Sequence, residues 1–156
     1  MGYLQDKLQD VAALPADRPM GMPGAFYTSQ EQFEHEARTV LRSGWHCLGR
    51  EDEIPEMGDF FTAQLLNEPL LVVRGEEGIV RVMANVCRHR GMPLAEGRGN
   101  TKRFVCSYHA WTYGHDGALL RAPRMQNAGF DVKGCRLPEH KVQLWNGFIY
   151  VTLDPD

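Results

Sequence analysis

The chain has 156 residues, 43% of them apolar and 24% charged, with a net charge of −3. That length and mixture suit a globular domain carrying an arm, and the weakly acidic balance supplies no basic field for nucleic acid. No apolar run is long enough to span a bilayer. The start, Met1 to Lys7, lacks the basic and then apolar stretches of a secretory signal, so the expectation is a cytoplasmic chain with no membrane partner.

Leu4, Leu8, Val11 and Ala12 fall on one helical face, and Pro15 and Pro19 stop that helix. Residues 15–25 read as an irregular arm. Thr28 or Ser29 can cap a second helix over 29–43, with Glu31 or Gln32 closing a capping box. Phe33, Ala37, Val40 and Leu41 share its apolar face, Arg38 and Arg42 suit its C-terminal end, and Gly44 ends it.

From Trp45 onward the pattern is that of strands. The runs Trp45 to Leu48, Phe60 to Leu65, Leu70 to Arg74 and Ile79 to Ala84 are short and apolar or alternating. Gly75 to Gly78 reads as a hairpin loop. Arg103 to Cys106 and Trp111 to Tyr113 are further short strands, followed by a turn at His115-Asp116-Gly117. Val142 to Trp145 and Phe148 to Leu153 are joined by Asn146-Gly147, the strongest short hairpin signal. Sixteen Gly and nine Pro agree with a turn-rich, mainly β body.

Four cysteines occur, and their spacing matters more than their number. Cys87-Arg88-His89 pairs a thiol with an imidazole inside one tight turn. Cys106-Ser107-Tyr108-His109 does the same sixteen residues further on. Two centres fit two sulfurs and two nitrogens so arranged. One is a single tetrahedral zinc. The other is a two-iron, two-sulfide cluster with both thiolates on one iron and both imidazoles on the other. Common zinc fingers pair Cys with Cys and His with His. A cluster needs each loop to reach both irons, which the mixed pairs allow.

The run Cys87 to Gly91 with Cys106 to Tyr113 resembles the Rieske signature, in the flavour of the large subunits of Rieske non-heme iron oxygenases. Gly44 to Arg50 resembles the stretch that opens the Rieske domain in these subunits, and Asn146 to Val151 the strand that closes it. The likeness covers about residues 25–156. It implies a mainly β fold: an antiparallel sheet or sandwich with a small cluster-binding subdomain at about 85–121. An N-terminal arm with one or two helices would take 1–44, and the Rieske domain 45–156.

The same resemblance makes Cys87, His89, Cys106 and His109 the ligands of a Rieske [2Fe–2S] cluster that passes single electrons. Two thiolates leave the oxidised core neutral, which places Rieske potentials at roughly −150 to +300 mV. The low end is expected here. The positions of the bracing disulfide found in respiratory Rieske proteins are Met92 and Tyr108, and a cluster-bonding Ser is replaced by Trp111. Gly91 would let the first loop turn tightly. Pro93 and Leu94 would shield the cluster, and Trp111 would wall the second loop. Tyr113 is either a hydroxyl donor to the cluster or a core-packed side chain.

Other residues receive plainer readings. Cys47 and Cys135 look like small buried thiols. His35, His115 and His140 are expected to be exposed, and His46 has no partner at ligand spacing. Arg88 and Arg90 are either solvated loop charges or a steering surface for an acidic donor.

In the resembled family a second domain follows, holding a mononuclear iron with two His and one carboxylate. No such set accompanies His115 and His140. The expectation is therefore the N-terminal part of an oxygenase, unable to oxygenate alone. Implied partners are a flavin-containing reductase or a ferredoxin as donor, the mononuclear iron domain as acceptor, and other copies in a homotrimer. A standalone Rieske ferredoxin and a zinc-stabilised binding module are the alternatives.

Overall fold

The computed structural model describes residues 2–125 and 129–155, and the side chains of residues 6–76, 78–125 and 129–155. The chain forms two compact units, residues 1–42 and 43–156. No helix among the described residues is long and apolar enough to cross a membrane.

The first unit holds helices α1 (Gly2–Ala12), α2 (Ala25–Thr28) and α3 (Gln30–Glu36). Ser29 caps α3 as expected, its hydroxyl accepting from the Gln32 amide at 3.2 Å. The single helix expected over 29–43 is not one regular helix. It passes into a π-helical segment, Ala37–Leu41, where the Arg42 amide donates to the Ala37 carbonyl at 3.1 Å. The Thr39 hydroxyl donates to the His35 carbonyl at 2.8 Å and competes for the acceptor an α-helical amide would use. His35, expected at the surface, is half-buried.

The second unit is antiparallel β throughout, in two sheets. The large one runs in the order β1 (His46–Arg50), β10 (Phe148–Thr152), β9 (Glu139–Trp145), β4 (Val80–Ala84), β3 (Glu68–Arg74), β2 (Asp59–Leu65), β5 (Arg98–Asn100). The small one is β6 (Phe104–Val105), β7 (Thr112–Tyr113), β8 (Leu119–Arg121). Asn146 and Gly147 both take positive φ, 49° and 77°, as a type I′ hairpin turn between β9 and β10 requires. Strands β5 and β8 lack a sequence signal. They are three residues each, and β5 is wholly exposed, so neither carries alternation.

Strand β3 explains how the sheets join. Leu70, Leu71, Val72 and Val73 are all fully buried, a continuous run that only a strand covered on both faces needs. Leu70 and Val72 pack with Ile54, Phe61, Val82, Ile149 and Val151. Leu71 and Val73 face the opposite way, toward Met83, Phe104, Trp111, Tyr113 and Leu119. Each such side chain contributes about 1.5–3 kcal/mol by leaving water. Gly117 (φ 78°) seals the contact, since a Cβ there would sit 2.7 Å from the Met83 sulfur. The second core contains Cys87 and Cys106. The small sheet therefore presses the two Cys-His turns against the large one.

Three expectations about single residues fail in this unit or fall short. Cys47 is exposed, not buried, because it lies on the outward side of edge strand β1 beside a bulge. His115 is buried, not exposed. The turn after β7 tucks its ring against Phe104, and its Nε2 lies 2.8 Å from the Thr101 carbonyl oxygen. His140 is half-buried on β9.

Candidate metal centre

The two Cys-His turns share one backbone design. The Cys87 amide donates to the Met92 carbonyl at 2.8 Å, and the Gly91 amide donates to the Cys87 carbonyl at 2.9 Å. In the second turn the Cys106 amide donates to the Trp111 carbonyl at 2.8 Å, and the Ala110 amide to the Cys106 carbonyl at 2.9 Å. The fifth residue of each turn reverses the chain with positive φ, 72° at Gly91 and 57° at Ala110. Only the histidine differs in place, third in one turn and fourth in the other.

This pairing brings all four sequence-selected residues to one place. Both cysteines are buried as free thiols, at 2% and 3% exposure. The His89 and His109 rings meet edge to face with centroids 4.6 Å apart. His109 Nδ1 is buried with no hydrogen-bond partner. A buried, unbonded imidazole nitrogen is costly unless its lone pair meets something absent from the polypeptide. Burial first, then the nearness of His89, Arg90 and Arg124, holds the His109 pKa below the ordinary histidine value. The neutral ring so favoured is the form that binds a metal. The donor set and this orphaned atom fit a metal group.

Among the described residues no three His, Cys, Asp or Glu side chains form a group placed to hold one metal ion. A single zinc needs four ligands on one centre. A two-iron cluster asks the protein for only two ligands per iron, the bridging sulfides supplying the rest.

The surrounding side chains brace the turns. Trp111 lies against the first loop rather than the second, its ring stacked on His89 at 4.8 Å and 9° and backed by Phe130 at 5.2 Å. Tyr113 is fully buried, and its oxygen lies 3.4 Å from Cys87 Sγ. The same oxygen accepts from the Arg88 amide at 3.0 Å, so Tyr113 is both core-packed and bonded to the loop. Burial, then the bond to Cys87, pushes its pKa up, and the hydroxyl stays protonated as a donor. Leu94 packs against the core around the cysteines, while Pro93 is exposed. Cys135 is half-buried, and burial raises its thiol pKa although Arg88 lies beside it.

Sequence reasoning missed two residues. Asn85 is 5% exposed, and its Oδ1 accepts from the amides of Leu94 (3.0 Å) and Ala95 (3.1 Å). Its Nδ2 donates to the Ala95 carbonyl at 2.8 Å, closing the first loop into a ring. A polar residue directly after the apolar strand β4 and two before Cys87 was the available signal. Ala110 is the other, since nothing in its side chain announces a left-handed backbone.

The Rieske [2Fe–2S] domain family matches this sequence over residues 44–144, which include both turns. The chain belongs to the Rieske [2Fe–2S] domain family. Its relatives include the carnitine monooxygenase oxygenase subunit of Escherichia coli (strain K12), 35% identical over 137 residues, covering 86% of this chain and 37% of that protein. The glycine betaine monooxygenase oxygenase subunit of Pseudomonas aeruginosa (strain UCBPP-PA14) is 39% identical over 138 residues, 88% of this chain and 32% of that protein. Among solved structures, a quaternary ammonium Rieske monooxygenase in complex with gamma-butyrobetaine superposes with a TM-score of 0.85 at 33% identity, covering 94% of this chain and 42% of that one. Naphthalene 1,2-dioxygenase from Rhodococcus sp., bound to indole, gives 0.85 at 32% identity, with 97% of this chain and 34% of that one covered. This Rieske chain thus spans about a third of the length of the curated relatives it matches.

Proposed function

We propose that this Rieske domain is the one-electron relay of an oxygenase that oxidises a small quaternary ammonium compound. Cys87 and Cys106 would hold one iron of the [2Fe–2S] group, and His89 and His109 the other. Bound there, the group supplies a one-electron couple. The chain's own residues do the rest. The paired turns place two thiolates and two neutral imidazoles together, Trp111 holds the His89 ring plane, and Tyr113 bonds one sulfur. The partners are a flavin-containing reductase or ferredoxin as donor, and as acceptor a mononuclear iron site on another copy in a trimer.

The observation that carries this reading is His109 Nδ1, buried and unpartnered beside the His89 ring, in turns whose two cysteines are buried thiols. The quaternary ammonium substrate rests on the relatives that act on carnitine and glycine betaine. Iron and acid-labile sulfide analysis, with a visible spectrum, tests the centre. The intact chain should be coloured and hold both elements in equal amounts. His109→Ala should lose the colour, whereas His115→Ala, whose ring bonds the Thr101 carbonyl, should keep the iron. A colourless protein containing zinc would overturn the proposal. For the substrate, the reduced chain supplied to its oxygenase should support turnover of an N-methylated ammonium compound and not of a neutral arene.

A further inference from the structure

Among the described residues, two buried side-chain nitrogens lack a hydrogen-bond partner, His109 Nδ1 and Trp111 Nε1. The metal centre accounts for the first and leaves the second unexplained. An indole nitrogen only donates, and a buried Trp N–H nearly always meets an acceptor. No carbonyl, hydroxyl or thiol sulfur of the chain accepts this one, those of Cys87 and Cys106 included.

The place of Trp111 narrows the choice of acceptor. The residue is 3% exposed and Nε1 is closed to solvent, so neither bulk water nor a docking protein reaches it. The side chain shares its core with Cys87, Cys106 and Tyr113. Its ring stacks on His89 at 4.8 Å, and the His109 ring meets the same His89 ring at 4.6 Å. The orphaned donor and the orphaned lone pair therefore belong to two rings that both touch a third. Phe130 backs the indole at 5.2 Å, and the Cys106 amide donates to the Trp111 carbonyl at 2.8 Å, which holds both ring and backbone. A phenyl ring would stack and fill space as well, so the N–H is what tryptophan adds. A trapped water would need several polar partners. The other orphan here, His109 Nδ1, is taken by iron on the reading above.

Resting on that cluster reading, we propose that the Trp111 indole N–H donates a hydrogen bond to a bridging sulfide of the [2Fe–2S] group and so raises its reduction potential. A bridging sulfide carries negative charge and no proton. It accepts and cannot donate, the complement of an indole. Reduction adds one electron to the group, and no proton moves along this bond. The sulfide becomes more negative, the bond strengthens, and the reduced state is favoured. The low potential expected from the sequence counted Trp111 as a lost donor, and this bond offsets part of that loss.

Cells fed indole labelled with nitrogen-15 place the label at tryptophan Nε1 alone, and pulsed electron paramagnetic resonance of the dithionite-reduced chain reads it. Of the three tryptophans, Trp45 and Trp145 are exposed and line a separate surface concavity with Gln143 and Tyr150, so a label coupled to the cluster is that of Trp111. The coupling should appear in the parent and vanish in Trp111→Phe. The potential should also fall in that variant, lowering the ratio of reduced to oxidised protein at a fixed potential at least tenfold, about 59 mV for one electron. Trp111→Phe changes packing too, so benzothienylalanine at position 111 is the control. It keeps the two-ring shape, carries sulfur in place of N–H, and should lower the potential as far. A reduced parent with no indole nitrogen coupling, or with one that survives in Trp111→Phe, would overturn the proposal, as would an analogue protein with the parent's potential. A parent that holds no iron and sulfide would instead overturn the cluster reading.

Discussion

The Cys87 turn and the Cys106 turn have the same backbone hydrogen bonds and the same left-handed fifth residue, yet they are held in different ways. The first is tied from below by a buried polar side chain, Asn85, and by the Tyr113 hydroxyl. The second has no such side-chain tie among these contacts: its Cys106 amide bonds the Trp111 carbonyl, while the buried Trp111 ring crosses over to His89. The backbone design sets where two ligands can stand. These supports would hold a cysteine and a histidine from each turn around the proposed centre; Asn85 acts within the first loop, while Tyr113 and Trp111, which follow the second turn, reach across to the first.

Breaking the polar support should give the largest effect. Asn85→Ala strands the Leu94 and Ala95 amides and should cost about 2–3 kcal/mol in chemical denaturation, with faster loss of the metal group. Asn85→Asp keeps the acceptor and should recover part of that loss. An alanine variant as stable as the parent would show that the ring closed by Asn85 holds nothing.

The left-handed residues offer a sharper contrast. Gly91→Ala should destabilise by about 1 kcal/mol, purely through its backbone, because nothing lies within 4 Å of the added Cβ. Ala110→Gly should do the reverse and stabilise by about 0.5 kcal/mol, the relief of strain exceeding the added chain entropy. Thermal melts of the pair measure both, and equal signs would break the equivalence of the turns.

Tyr113→Phe should cost about 1 kcal/mol in stability. It should still lower the reduction potential, because a hydroxyl bond to sulfur stabilises the more negative reduced state. Protein-film voltammetry reads this directly. An unchanged potential would leave Tyr113 as a packing residue alone.

Much of this was legible in the sequence because the proposed ligands carry their own chemistry. Two Cys-His pairs at short spacing point to a metal before any fold is known, and Asn146-Gly147 announces its hairpin. The supports were less legible for physical reasons. Asn85 matters through amides nine and ten residues away, and His115 is buried by a sheet contact its turn-like neighbours do not reveal. Ala110 is left-handed because the turn requires it. Strand β3 is a different case: its Leu70 to Val73 run reads from the sequence only as a short apolar strand, and the structure shows both of its faces covered.

Pulsed electron paramagnetic resonance of the dithionite-reduced chain, with its histidines labelled by nitrogen-15, probes the ligand set most directly. Two distinct histidine nitrogens should couple to the unpaired electron. One coupling should vanish in His89→Cys and the other in His109→Cys. A full reduced-state signal carrying no histidine nitrogen would contradict the assignment of these imidazoles to iron.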